Sequence, residues 1–226
     1  MEIPNLPDDI LTQILEIIAA DASWRLGPFL RAGKRSYALV HQPQILRNCS
    51  LWSMCHDPND IFIGGRCRSF FEKCLNVGNI DVVLFEILHL ASRHRDLEAA
   101  VALLEQNVPI DVESTLTYGV LNVCLGDEVK ASEAFQQFIQ HHDHLHSERV
   151  RQMCNELEWK LSWYHPEQMD TYANTLKYPN DKVIKEPDCA YDHDPFFDRF
   201  CNACNVFWTA RNVCRMILGP SMMLPI

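Results

Sequence analysis

Residues able to do chemistry gather near the C-terminal end of the sequence. Cys201 and Cys204 form a CxxC, and Cys189, His193 and Cys214 lie close enough along the chain to complete a set of four ligands. Thiolates and imidazoles in fours suit tetrahedral zinc, and a short tail with little core of its own would gain stability from such an ion. Cys189, Cys201, Cys204 and Cys214 form the leading ligand set for a structural zinc, ahead of a version that uses His193. The competing reading needs no metal, because reduced cysteines pack well as small hydrophobes in a terminal helix. A second cluster is "HHDHLH", His141 to His146. His141 and His142 fall where a helix should end, and imidazolium interacts favourably with that end of the helix dipole. No HExxH accompanies them, so a solvated helix end is the reading. GxSxG, phosphate loops, dinucleotide glycine patterns and a papain-like cysteine context are all missing from the sequence. No positive feature marks an enzyme and no cofactor is required; the structural zinc just described is the one metal the residues suit.

Composition sets the bounds within which these groups must be positioned. The 226 residues are 47% hydrophobic, enough to bury one large core or two modest ones. The apolar run "ILEIIAA" falls far short of the roughly 20 residues a membrane span needs, and no basic region precedes it as in a signal peptide. Ten cysteines in a chain of this size and kind are expected to stay reduced. The expected location is therefore nucleus or cytoplasm, with no membrane partner. A net charge of −10 argues against a sequence-independent grip on nucleic acid, which needs clustered Lys and Arg.

Helical periodicity dominates the chain. In "LPDDILTQIL" and the residues after it, Ile10, Leu11, Ile14, Leu15 and Ile18 recur at helical spacing, and Pro7 suits a first turn where its missing N–H costs nothing. The pattern restarts after Gly27-Pro28 and after Gln42-Pro43, so three short helices fill the first fifty residues. "SMCHDPNDIFIGG" reads as a connector containing a domain boundary. "CRSFFEKCLNVGN" then forms a helix that stops at Gly78-Asn79. Five further helical stretches follow up to Tyr164. "IDV" at Ile80 recurs at Ile110, each copy preceding an alanine-containing helix, with Ala99, Leu103 and Leu104 in one and Ala134, Phe138 and Ile139 in the other. Offsets of about 30 and about 35 residues bracket the tetratricopeptide period, though a plain helical bundle explains the pattern equally well. Residues 165–188 show no sustained period and read as a linker. Hydrophobic and cysteine residues return together in 189–218, with a last helix from about Asn205 to Leu218.

The opening stretch and the later "AGKRSYALVHQPQIL" resemble an F-box, covering residues 4–52. That module starts with a Leu-Pro-acidic step, continues into an Ile/Leu-rich helix, and later carries a Cys-Lys-x-aromatic element and a proline before its last helix. The wider chain is similar to plant F-box proteins with a degenerate tetratricopeptide-like region and a Cys-rich tail. "FFEKCLNVGNIDVVLF", "TYGVLNVCLGDEVKASEAF" and "CNACNVFWTARNVCRMIL" carry that likeness. Gly33 stands where the family has cysteine, and Ser36 where it has an aromatic, with Tyr37 displaced by one.

The resemblance implies an all-α chain. A three-helix F-box-like module at 4–52 would precede a tetratricopeptide-like helical-hairpin array at 66–164, the linker at 165–188 and a Cys-rich helical tail at 189–218. It also implies a non-catalytic subunit of a Skp–cullin–F-box ubiquitin ligase, binding a Skp-type adaptor and, through it, a cullin–RING ligase. Leu6, Pro7, Ile10, Leu11, Ile14, Lys34 and Pro43 would carry the adaptor contact, and the helical region would present a target that the sequence does not identify. A helical-repeat scaffold outside any ligase is the alternative, and a zinc-dependent enzyme built on the histidines or C-terminal cysteines is a second rival.

Overall fold

The computed structural model describes residues 6–52, 54, 57–94, 96–164, 175–193 and 201–218. All regular structure among them is helical. The chain divides into two compact units, Met1–Glu86 and Ile87–Ile226. No single helix among the described residues is long and apolar enough to cross a membrane.

In the first unit, α1 (Asp8–Asp21) follows Pro7, whose φ of −55° leads the chain into the helix. A 3-10 turn (Ser23–Leu26) and α2 (Gly27–Arg31) come next, then α3 (Lys34–Val40) and α4 (Pro43–Asn48). Where the pattern that restarts after Gly27-Pro28 predicts one helix running to Val40, the chain breaks at Gly33, whose φ of 130° is a backbone state L side chains rarely adopt. Pro28 and Pro43 each sit in a first helical turn, where a missing N–H goes unnoticed. Leu11, Leu15 and Ala19 turn inward and pack with Leu39, Val40, Ile45 and Leu46.

The segments after residue 52 belong to the same unit. α5 (Pro58–Ile61) and α6 (Arg68–Asn76) precede Gly78, and α6 packs on α4. Buried Asn79 donates from Nδ2 to the carbonyls of Leu46 (2.8 Å) and Cys49 (2.9 Å), closing the C-terminal end of α4. Arg68 forms a fork on Glu86 at 2.8 and 3.0 Å and also reaches Glu72. His41 donates from Nδ1 to the Tyr37 carbonyl (2.7 Å), which leaves Nε2 to accept from Lys73 (2.9 Å).

The division between the units falls inside α7 (Ile80–His89), which continues into one π-helical turn (Leu90–His94). The second unit then runs α8 (Leu97–Glu105), α9 (Val112–Leu125), α10 (Glu128–His141), α11 (Glu148–Ser162) and α12 (Asn205–Leu218). Asp96, Asp111, Asp127 and Ser147 cap four successive helices by accepting the N–H three residues on. α9 is the axis of this unit, buried at every residue from Ser114 to Cys124 and flanked by α8, α10 and α12. At Gly119 the Phe135 ring lies where a side chain would start, so a Cβ there would stand 2.5 Å from the ring.

No helix forms from Thr175 to His193, yet this stretch is anchored to the second unit. Thr175 donates to the Cys124 carbonyl (2.6 Å), and Lys177 N–H to that of Val123 (3.0 Å), which also accepts the Gly126 N–H, so the stretch is tied to the last turn of α9. Tyr178 stacks between Phe135 and Phe207, and Ile184 is buried. Residues 165–174 of the sequence-defined linker lie outside the described residues.

Candidate functional site

Two places stand out, one in each unit. In the first, the geometry of α1 sorts the residues of the opening stretch by face. Leu11 is 4% exposed and holds the core of its own unit, which leaves it unable to contact anything else. Ile10 and Ile14 are 39% and 38% exposed, and Ile17 reaches 73%. Positions 10, 14 and 17 fall within about 60° of one another at 100° per residue, so they form a narrow apolar stripe aimed at solvent. Ile17 was missed by reading the motif alone; extending the 3-4 spacing one step finds it.

The start of the stripe is held in place by α3. Arg35 donates from Nε to Asp8 (2.8 Å) and from Nη2 to the Leu6 carbonyl (2.5 Å). Leu6 is half-buried and Pro7 exposed beside it, and Lys34 and Pro43 are exposed at the first turns of α3 and α4. Ser36 is buried, whereas Tyr37 points outward with its hydroxyl 3.0 Å from Lys73.

The second place is the cysteine tail. Cys189, His193, Cys201 and Cys204 each bring a ligand atom to within 4.8 Å of the others, so this group could hold a metal ion. The Cys189 and Cys201 sulfurs lie 3.5 Å apart, and those of Cys201 and Cys204 3.6 Å. Sulfurs bound at 2.3 Å to one tetrahedral zinc would be about 3.8 Å apart, so only a small spread is needed to admit the ion. Cys214 does not join them. It sits in the C-terminal half of α12, fully buried, with its thiol against that of Cys124 in α9. His193 takes the fourth place instead.

Local structure explains why the ligands converge. Cys189 lies in a run of turns, with Ala190 N–H bonded to the Pro187 carbonyl (2.9 Å). Cys201 and Cys204 share a tight turn, in which Cys204 N–H reaches the Cys201 carbonyl (3.2 Å), directly before α12. Trp208, one turn into α12, donates from Nε1 to the Ala190 carbonyl (3.0 Å) and so fixes one ligand segment against the other. Ala190, Cys204, Phe207 and Trp208 form an apolar cluster with Tyr178 and two of the cysteines against it.

The sulfurs are electrostatically unequal. Burial pushes Cys201 up, but bonds from the Cys204 N–H, the Cys189 and Cys204 thiols and His193 outweigh it and bring it down to about 6. Burial together with the neighbouring Cys201 thiolate pushes Cys204 up to about 12. One thiolate shared among hydrogen-bonding thiols and an imidazole is the donor chemistry a cation completes. Cys49, Cys74 and Cys154 contrast with this, each pushed up to about 12 chiefly by burial.

No family model, curated protein or solved structure matches the chain.

A hollow of about 480 Å³ adjoins the cluster, and Cys189 and Ala203 contribute to its wall. His144 and His146 reach it, while His141 is exposed at the end of α10. The histidine stretch thus does not assemble into a ligand set with the groups around it, since the metal-type cluster found among the described residues is the one in the tail.

Proposed function

We propose that this chain is an F-box-type, non-catalytic recruiting subunit of a Skp–cullin–F-box ubiquitin ligase, acting in the nucleus or cytoplasm. The observation that carries the reading is the solvent-facing stripe Ile10, Ile14 and Ile17, which begins at the Leu6-Pro7 step and is left exposed by the described residues of its own unit. An exposed contiguous apolar strip beside a rigidly held proline marks an interface. Leu6, Pro7, Ile10 and Ile14 would enter an apolar groove of a Skp-type adaptor, with Lys34, Pro43 and the displaced aromatic Tyr37 at the margin. Leu11 is assigned to the core. Burying one isoleucine contributes about 1.5 to 3 kcal/mol, so losing two would weaken binding by about a hundredfold or more. The helices beyond the first module, read as a tetratricopeptide-like array, would present the target, and tethering would make ubiquitin transfer nearly intramolecular.

The same reading assigns the tail cluster to a structural Zn²⁺ held by Cys189, His193, Cys201 and Cys204. The ion would act as a clamp between the turn at 189–193 and α12.

Co-purification with a Skp-type adaptor tests the docking half, comparing the unmodified chain with Ile10→Asp plus Ile14→Asp. Retention by the former and loss by a double variant of unchanged circular dichroism supports the ligase subunit. Failure of both to bind while folded leaves a helical scaffold in its place. Metal analysis tests the other half, with one zinc per chain expected.

A further inference from the structure

We propose that Cys189 and Cys201 form an oxidisable edge of the metal centre, so that a peroxide joins them as a disulfide and strips the ion of two of its four ligands. The inference rests on the zinc reading above and adds a regulation to it.

Proximity and exposure together single out this pair among the described cysteines, for the Cys204 sulfur also lies 3.6 Å from that of Cys201 but is buried. Cys74, Cys124, Cys154 and Cys214 are buried in helices, Cys49 is buried just past the end of α4, and Cys204 is buried within the apolar cluster directly before α12. Cys189 and Cys201 are both half-exposed, and their sulfurs already stand 3.5 Å apart across 12 residues of sequence. A disulfide needs about 2.05 Å, so the sulfurs must close by about 1.5 Å. Cys67 is also half-exposed, but among the described residues no cysteine sulfur is bonded to it, and it belongs to the other unit.

The chemistry balances with hydrogen peroxide as the two-electron oxidant. The Cys201 thiolate attacks one peroxide oxygen; an S–O bond forms, the O–O bond breaks, and the departing hydroxide takes a solvent proton to become water. The Cys189 thiolate then attacks the Cys201 sulfur, forming S–S and breaking S–O, and the second hydroxide leaves as water with another proton. Two thiolates have lost two electrons, the peroxide has gained them, and the metal stays divalent. Only Cys204 and His193 remain as ligands, too few to retain zinc against a chelator. Thiol exchange with dithiothreitol reverses the step.

The test uses the full chain purified with its metal, one equivalent of hydrogen peroxide, a chromogenic zinc-binding dye and non-reducing peptide mass mapping. Expected are one zinc released per chain, a Cys189–Cys201 cross-linked peptide, and recovery of zinc binding after dithiothreitol and added zinc. Release should proceed at least tenfold faster than oxidation of any buried cysteine. A chain that neither carries nor takes up zinc overturns the zinc reading and this inference together. A chain that holds zinc but keeps it through the peroxide treatment, or that forms a different disulfide, overturns this inference alone.

Discussion

The opening of α1 and the cysteine tail solve opposite problems of placement. In α1 the residues of interest are consecutive, and a regular helix deals them alternately to the core and to solvent; Leu11 and Ile10 are neighbours with opposite fates. In the tail, ligands from the described turns at 189–193 and 201–204 converge with the help of one indole hydrogen bond. A face on a helix survives the loss of any one of its exposed members. A cluster held by four atoms does not survive the loss of two.

The sharpest way to break the comparison is therefore in the tail. Cys201→Ser with Cys204→Ser should abolish zinc binding and lower the melting temperature of the second unit by the largest margin of any change considered, since structural zinc carries about 10 kcal/mol or more of apparent binding energy. Metal analysis beside calorimetry checks it, and unchanged stability would put the clamp aside.

Next in size is a paired change on α1. Leu11→Ala should cost about 2 to 5 kcal/mol in urea unfolding, the range for emptying a core leucine site. Ile14→Ala should change stability by no more than about 0.5 kcal/mol while weakening adaptor retention about tenfold or more. Equal destabilisation by the two would erase the distinction between inner and outer face.

Arg35→Ala should be milder still. Its ion pair with Asp8 is exposed, which limits the cost to about 1 kcal/mol or less, but the Leu6 carbonyl loses its partner. Adaptor affinity should then fall more than stability does, measured by titration calorimetry beside urea unfolding.

The smallest effect concerns pH. Burial raises Glu158 despite hydrogen bonds from Thr209 and Asn212, and raises Glu113 despite its Lys160 partner. An acid whose folded pKa is raised holds its proton more tightly when folded. The stability it contributes is complete below the unfolded value near 4.5 and is lost as pH climbs through the raised folded value. Glu158→Gln should therefore gain on the unmodified chain as pH rises through that window, and comparing the two at each pH cancels the response of the metal ligands.

How much of this could be read in advance follows the same divide. The last helix was expected from about Asn205 to Leu218 and occupies those residues, because a period of 3.6 and a Gly-Pro stop are local signals. α10 and α11 were legible from the same local periodicity, and the structure adds the Asp127 and Ser147 caps that start them. The apolar periodicity also placed Ile10 and Ile14, but not which of the docking candidates the core would claim; Leu11 depends on where α3 and α4 come to rest. The break at Gly33 needs a backbone angle that composition hints at without fixing. In the tail, Cys214 is no farther from Cys204 along the chain than Cys189 is, so spacing favours neither over His193. Only the turn at 189–193 and the burial of Cys214 against Cys124 decide it.

α9 carries a consequence for motion as well as for packing. With eleven successive residues out of solvent and α8, α10 and α12 around it, its amides have no small opening through which to meet water. They should exchange hydrogen only when the whole second unit comes apart, so their exchange rates report the global stability of that unit. The outer ends of α10 and α12 should open by fraying long before. Binding of a metal by the tail cluster would then appear as a change in the slowest amides of a helix that touches none of the cluster's residues in sequence.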